Sequence, residues 1–449
     1  MNRKIVLVRH QEPLHHGWSK RSFDPAASHI RRKIKVSGTS FDESFSPVRL
    51  VGRFPGKGMQ PTERPVRMVV PGMGKNTSSA YVVRAQMEDE DAAARLAFDR
   101  REEVLGVFAD VPIGLAPSPG DGPPVGDSGD VARKLGVAAL ARAGCTGRNT
   151  RIAIVDSGVD GTVVPVAGGW SPLSPAAAGY LPPGGVRAGE GDWQHHGTMC
   201  AYDARIAAPE AAIYDYRLMT GLQDKVPSML SDAVAAFAEL YAFLQAHPGP
   251  LIVSNSWCLF DRADDAPVGS PENYCSNLNH PFNRIVSTLV GAGADVLFAA
   301  GNCGIECPNW RCGPNDVGCG NSIHGASSHP DVLTVAAVTI HEERLGYSSQ
   351  GPGGIALMKP DLCGYSHFEG SGLYAADVGT SAACPVVAGV VAALRQRASS
   401  SEVTPPQLKA ALQRTARDLG GVGFDYDYGY GVIDPPAAMA MLGMGDSLR

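Results

Sequence analysis

No stretch of this 449-residue chain approaches the ~20 consecutive apolar residues a membrane-spanning helix needs, so no membrane partner is expected. The opening Met1–His10 segment has basic Arg3 and Lys4 but only four apolar residues, Ile5–Val8. A secretory signal carries about 7–15. The chain as written is therefore expected in the cytoplasm, unless it is exported by a route without a cleavable signal. Internal repeats and long low-complexity tracts are also absent, which excludes a repeat array. Only 19% of the residues are charged and 44% are hydrophobic, too apolar for wholesale disorder and ordinary for a globular enzyme.

What the chain does have is loop formers, with 53 Gly and 34 Pro, and ten Cys. In a reducing compartment those thiols are expected to be free or to bind metal. The net charge of −6 hides an asymmetry. Residues 1–64 hold 13 Lys/Arg against 5 Asp/Glu. A basic arm of this kind can bind nucleic acid, but more often it is solvated or packs on an acidic domain of its own chain. Nucleic acid is not the expected partner.

Residues 1–64 show little periodicity and read as a basic, irregular segment. Residues 65–116 read as a small α/β module, with strands at 80–85 and 104–109 around a helix within 88–103. Residues 117–130, dense in Pro, Gly, Ser and Asp, read as an exposed linker. From 131 to 449, apolar strands at 151–155, 251–253, 296–300 and 332–336 alternate with helical segments, including 234–245 and 283–291. This alternation predicts an α/β fold, a parallel sheet with helices on both faces, with ligands at the strands' carboxyl ends.

Four residues stand at such places. Asp156 follows the first strand, His196 precedes a helix, Asn302 closes Phe298-Ala-Ala-Gly-Asn302, and Ser381 opens the apolar helix after Gly379-Thr380. Each has an ordinary reading as a turn former or helix cap. Together they supply what acyl transfer by serine requires: a nucleophile, a base, a carboxylate to orient the base, and an amide donor for the oxyanion. His195 competes with His196 as the base, but Gly197-Thr198 follows His196 directly.

The order Asp, His, Ser and the motifs Asp156-Ser-Gly-Val-Asp160, His196-Gly-Thr198, Ala299-Ala-Gly-Asn302 and Gly379-Thr-Ser-Ala-Ala-Cys-Pro385 resemble those of subtilisin-like serine proteases. The resemblance runs from about Gly136 to Met441. It implies a subtilisin-like sheet and a serine endopeptidase with Ser381 as nucleophile, His196 as base and Asp156 as its orienter. Asn302 and the Ser381 N–H would form the oxyanion hole, and protein or peptide chains would be the substrates. It also implies that the module at 65–116 acts as an inhibitory prodomain, making the chain's own N-terminal region a partner. No cofactor is expected. Calcium is frequent in the family, but no segment here is assigned to it, and no residue is assigned as a metal ligand.

The chain departs from the family at the expected substrate-binding strand, near Ser254, Ser256 and Trp257. Ser256-Trp-Cys-Leu259 replaces the frequent Ser-Leu-Gly-Gly, and larger side chains there are expected to narrow or reshape the cleft. Behind Asn302 stand Cys303, Cys307, Cys312 and Cys319. Their spacing fits paired zinc ligands only in part, leaving disulfides, a structural metal and free thiols as open readings. This loop is expected to restrict substrate choice. Alternatives to hydrolysis are a peptide transamidase or macrocyclase using the same acyl-enzyme, and a silent peptide-binding scaffold. The absent signal favours a regulated intracellular protease.

Overall fold

The computed structural model describes residues 2–9, 26–52, 78–118, 122–171, 188–192, 194–219, 228–304, 309–313, 318–320 and 322–444. Seven strands form one wholly parallel sheet, in the spatial order Leu362–Tyr365, Leu333–Val338, Asp295–Ala299, Leu251–Asn255, Arg151–Asp156, Ala212–Arg217 and Val166–Trp170. Both faces of the interior strand Arg151–Asp156 are apolar, which fits its place between Leu251–Asn255 and Ala212–Arg217. Ile152 and Ile154 face one apolar core, while Ala153 and Val155 face the other.

Helices His196–Ala207 and Thr380–Arg395 cover the first face. Leu230–Ala246 and Pro281–Gly291 cover the second. Every residue of Thr380–Arg395 is buried, so its unbroken apolar run is that of an interior helix rather than a one-sided surface helix. The chain leaves strand Arg151–Asp156 toward one edge of the sheet and returns to the other side at Leu251–Asn255. That reversal opens a crevice at their carboxyl ends, where parallel α/β sheets bind ligands.

The N-terminal region corrects the reading of residues 1–64 as irregular. Asn2–Arg9 is a strand at the heart of an antiparallel sheet, between Ser78–Met87 and Val104–Ala109. Thr39–Phe41 and Val48–Gly52 also pair with Ser78–Met87, and Ala26–Lys33 is a helix. The four apolar residues too few for a signal are enough for a strand buried on both faces. Val6 and Val8 join the module's own core with Leu96 and Ile34, whereas Ile5 and Leu7 join the core beneath helices Leu230–Ala246 and Pro281–Gly291. The module therefore includes residues 2–9 and 26–52 as well as 78–109; residues 10–25 and 53–77, among them 65–77 assigned to it from sequence, lie outside the described residues.

The linker reading of 117–130 is likewise corrected at its far end. Val125 N donates to the His367 carbonyl, Asp127 bridges to Glu369, and a helix starts at Ser128 with Asp127 and Asp130 as a reciprocal cap. Residues 119–121 lie outside the described residues. Between module and linker, Pro112–Leu115 is the middle strand of a separate three-stranded antiparallel sheet, flanked by Ser228–Met229 and Trp257–Leu259. Among the described residues no helix is long and apolar enough to cross a membrane.

Candidate active site

Asp156 ends the strand Arg151–Asp156 and is buried, with its Oδ1 2.8 Å from His196 Nδ1 and accepting from Ser157 N at 2.7 Å. His196 is the first residue of its helix, and the exposed His195 before it has φ 58°. That turn directs the chain so that His196, not His195, meets Asp156. Asp192, four residues before His196, is buried and accepts from Ser157 Oγ at 2.9 Å, from Thr198 N and Thr198 Oγ1 at 2.9 Å each, and from Gln194 N at 3.2 Å. Ser157 Oγ in turn accepts from Gly197 N at 3.1 Å. One carboxylate thus ties the turn after Asp156 to the start of the His196 helix. An Asp placed ahead of a helix is a capping signal in sequence, but its tie to Ser157 is not visible there.

Burial works against a charged imidazole at His196, but the negative charge and hydrogen bond of Asp156 prevail and raise its pKa above the ordinary histidine value, with further help from Asp192 and Asp377. The helices carrying His196 and Ser381 cross at Gly389, where a Cβ would lie 2.1 Å from the Ala204 carbonyl oxygen. Only a residue without a side chain allows that approach.

Ser381 lies in the first turn of its helix, after Gly379 at φ 83°. Its Oγ is 3.5 Å from the Ser256 carbonyl, and its own carbonyl accepts from Ser256 Oγ at 3.0 Å. Asn302 Oδ1 accepts from Thr380 N and Thr380 Oγ1, at 2.9 and 3.0 Å, which fixes the amide so that Nδ2 points outward. That Nδ2 donates to the Pro117 carbonyl at 3.0 Å. A peptide carbonyl from the N-terminal region therefore occupies the donor beside Ser381.

The expected substrate-binding residues separate. Ser256 holds the Ser381 backbone. Ser254 is buried beneath it, 3.8 Å from Cys384 Sγ. Trp257 does not narrow the cleft. Its ring is buried against Phe282 and Phe298, its Nε1 donates to Asn255 Oδ1, and only its backbone faces the strand Pro112–Leu115. Cys303 and Cys312 form a disulfide, so neither is a metal ligand; Cys319 is a free thiol that accepts from Gln350, and Cys307 lies outside the described residues. Among the described residues, Asp156, His196 and Cys200 offer ligand atoms within 4.8 Å of one another. Cys200 Sγ is also 3.8 Å from Asp156 Oδ2 and 3.5 Å from the Ser381 carbonyl, and burial pushes its thiol well above the ordinary range.

On this parallel α/β sheet, Asp156 is paired with His196, and Asn302 is tied to Thr380 beside Ser381, at the carboxyl-end crevice. The chain belongs to the Subtilase family, whose pattern matches residues 147–431. It is 27% identical over 326 residues to the membrane-bound transcription factor site-1 protease of Homo sapiens, a match covering 68% of this chain and 26% of that protein. It is 26% identical over 307 residues to subtilisin E of Bacillus subtilis (strain 168), covering 67% of this chain and 68% of the relative. The subtilisin of Bacillus pumilus is also 26% identical over 307 residues, with 94% of it covered. The chain spans about a quarter of the length of the site-1 proteases it matches.

Proposed function

We propose that the chain is a serine endopeptidase of restricted specificity whose N-terminal region occupies and blocks its own cleft. Ser381 Oγ attacks the scissile carbonyl carbon while His196 Nε2 takes its proton, with Asp156 holding the imidazole by Nδ1. Asn302 Nδ2 and the Ser381 N–H stabilise the oxyanion. His196 then gives the proton to the leaving amine, and water releases the acyl group by the same base. No cofactor enters this chemistry, and calcium has no site assigned.

The observation that carries the reading is the Pro117 carbonyl on Asn302 Nδ2, at the end of a strand paired on both sides. Extended pairing beside a reacting carbonyl is how a protease presents a substrate. Docking of the module supports the inhibitory role. Buried Asp110 accepts from Ser231 N and Oγ at the start of helix Leu230–Ala246, and Arg84 pairs with Asp232 beside it. Burial pushes Asp110 up to about 6, against the opposing charge of Arg84. Self-cleavage is expected first at the bond after Pro117. The Cys303–Cys312 disulfide favours an oxidising compartment over the reducing cytoplasm expected from sequence.

Intact mass of the full chain and of Ser381→Ala tests this. The wild type is expected to lose the fragment ending at Pro117 and to hydrolyse added peptides, and the variant to do neither. A Ser381→Ala chain that still cleaves itself or added peptides removes the proposal.

A further inference from the structure

The cysteine-containing segment after Asn302 carries chemistry that the proposed triad does not use. Cys303, next to the oxyanion asparagine, is bonded to Cys312, and the short 3-10 turn Trp310–Cys312 lies at the far end of that loop. Between the two ends of this tether stands Arg311. Its Nε donates to the Phe260 carbonyl at 2.7 Å, and its Nη2 donates to the Leu115 carbonyl at 2.7 Å. The guanidinium also stacks on the Phe260 ring, 4.1 Å from its centroid, and Trp310 meets the same ring edge-on. Leu115 belongs to the strand that runs into the oxyanion site, two residues before Pro117.

Phe260, pinned between Arg311 and Trp310, closes the space above the preceding residue of that strand. A Cβ on Gly114 would lie 3.0 Å from Phe260 Cδ2 and 3.7 Å from Arg311 Nη2. A carbon at 3.0 Å is inside normal contact, and the ring has little freedom to yield.

We propose that Arg311 is a substrate-binding residue. Positioned by the Cys303–Cys312 bridge, it clamps the backbone carbonyl of an extended peptide two residues before the scissile one, and with Phe260 it selects glycine at the position before that. The class of ligand is an extended strand of the form Gly-X-X-X, cut after the last residue. This rests on reading the strand slot as the substrate cleft. A guanidinium donating to a carbonyl contributes about tenfold to a hundredfold in binding. The planar fork serves Phe260 and Leu115 at once, and lysine cannot reproduce that geometry.

Two readouts test it. In the full chain carrying Ser381→Ala, which keeps its own strand in place, Arg311→Gln is expected to speed hydrogen exchange of residues 113–117 about tenfold or more. Exchange in the strand Asn2–Arg9 should not change, and Arg311→Lys should fall between the two. Unchanged exchange at 113–117 overturns the clamp, and so does equal acceleration across the whole N-terminal sheet.

In the self-processed protein, freed of the fragment ending at Pro117 and with sites counted by fluorophosphonate titration, acetyl-Gly-Leu-Ala-Pro and acetyl-Pro esters with the same leaving group are compared. The wild type should prefer the long ester. In Arg311→Gln that preference collapses, chiefly through a rise in KM. Replacing Gly with Ala in the long ester should slow the wild type and be relieved by Phe260→Ala. Preference retained by Arg311→Gln overturns the inference. Hydrolysis of neither ester, together with faster exchange at 113–117 in Arg311→Gln, overturns the protease reading and leaves the clamp standing.

Discussion

Gly389→Ala should damage both stability and activity, and the structure gives the size of the effect. The added Cβ would lie 2.1 Å from the Ala204 carbonyl oxygen and 3.0 Å from its carbon, both backbone atoms of the His196 helix. Ordinary contact starts near 3.4 Å, so the two helices must separate by about 1.3 Å or the variant must rearrange. Gly389 lies eight residues beyond Ser381 and Ala204 eight beyond His196, each about 12 Å along its helix at 1.5 Å per residue. The strain therefore enters at the crossing that sets the spacing of base and nucleophile. Overpacking of this kind costs about 1–3 kcal/mol, and a displacement near 1 Å at a reacting pair costs about 10² in rate. Calorimetry of Ser381→Ala with and without Gly389→Ala avoids self-cleavage, and peptide hydrolysis gives kcat/KM in the active chain. A Gly389→Ala enzyme with wild-type kcat/KM and wild-type Tm would refute the reasoning.

Four further outcomes follow from the site. Asn302→Ala should lower kcat by about 10²–10³ with little change in KM, a size that comes from the oxyanion asparagine of a subtilisin rather than from this structure; a loss under threefold contradicts the assigned donor. His196 serves as base only when neutral, and its pKa is raised by Asp156 above 6.5 against the effect of burial. Thus kcat/KM should fall as pH drops through a midpoint above 6.5, and Asp156→Asn should move that midpoint down; a wild-type midpoint below 6.5 speaks against the pairing. Asp192→Ala strands the Ser157 and Thr198 donors and should cost about 1–3 kcal/mol by denaturant titration, with kcat/KM falling too; a stable, fully active variant would show the tie to be dispensable. Asp110→Ala removes both hydrogen bonds to Ser231 and should raise initial hydrolysis of added peptide by the unprocessed chain; no rise argues against docking at that point.

The places of Asp156, His196, Asn302 and Ser381 in the fold were legible because each is set by local rules: a strand end or a helix start, beside small residues. Strands rich in Val, Ile and Leu, such as Arg151–Asp156, could be read for the same reason. Val166–Trp170 could not, since Gly168 and Gly169 interrupt it and its strand character comes from pairing with Ala212–Arg217. Asn2–Arg9 looked like a charged tail because its partners lie about 75 and 100 residues away. Trp257 misled in another way. Alternation along a short strand leaves the buried face undecided, and the ring turned to the core. Arg311 gave no signal at all, because its partners Phe260 and Leu115 are brought to it only by the folded cleft and the disulfide.

Fluorophosphonate labelling of the full chain, followed by peptide mapping of the adduct, tests the central claim most directly. The account predicts one phosphonyl group on Ser381, lost in Ser381→Ala and strongly slowed in His196→Ala. Equal labelling of wild type and Ser381→Ala, or an adduct mapped to another residue, would contradict it.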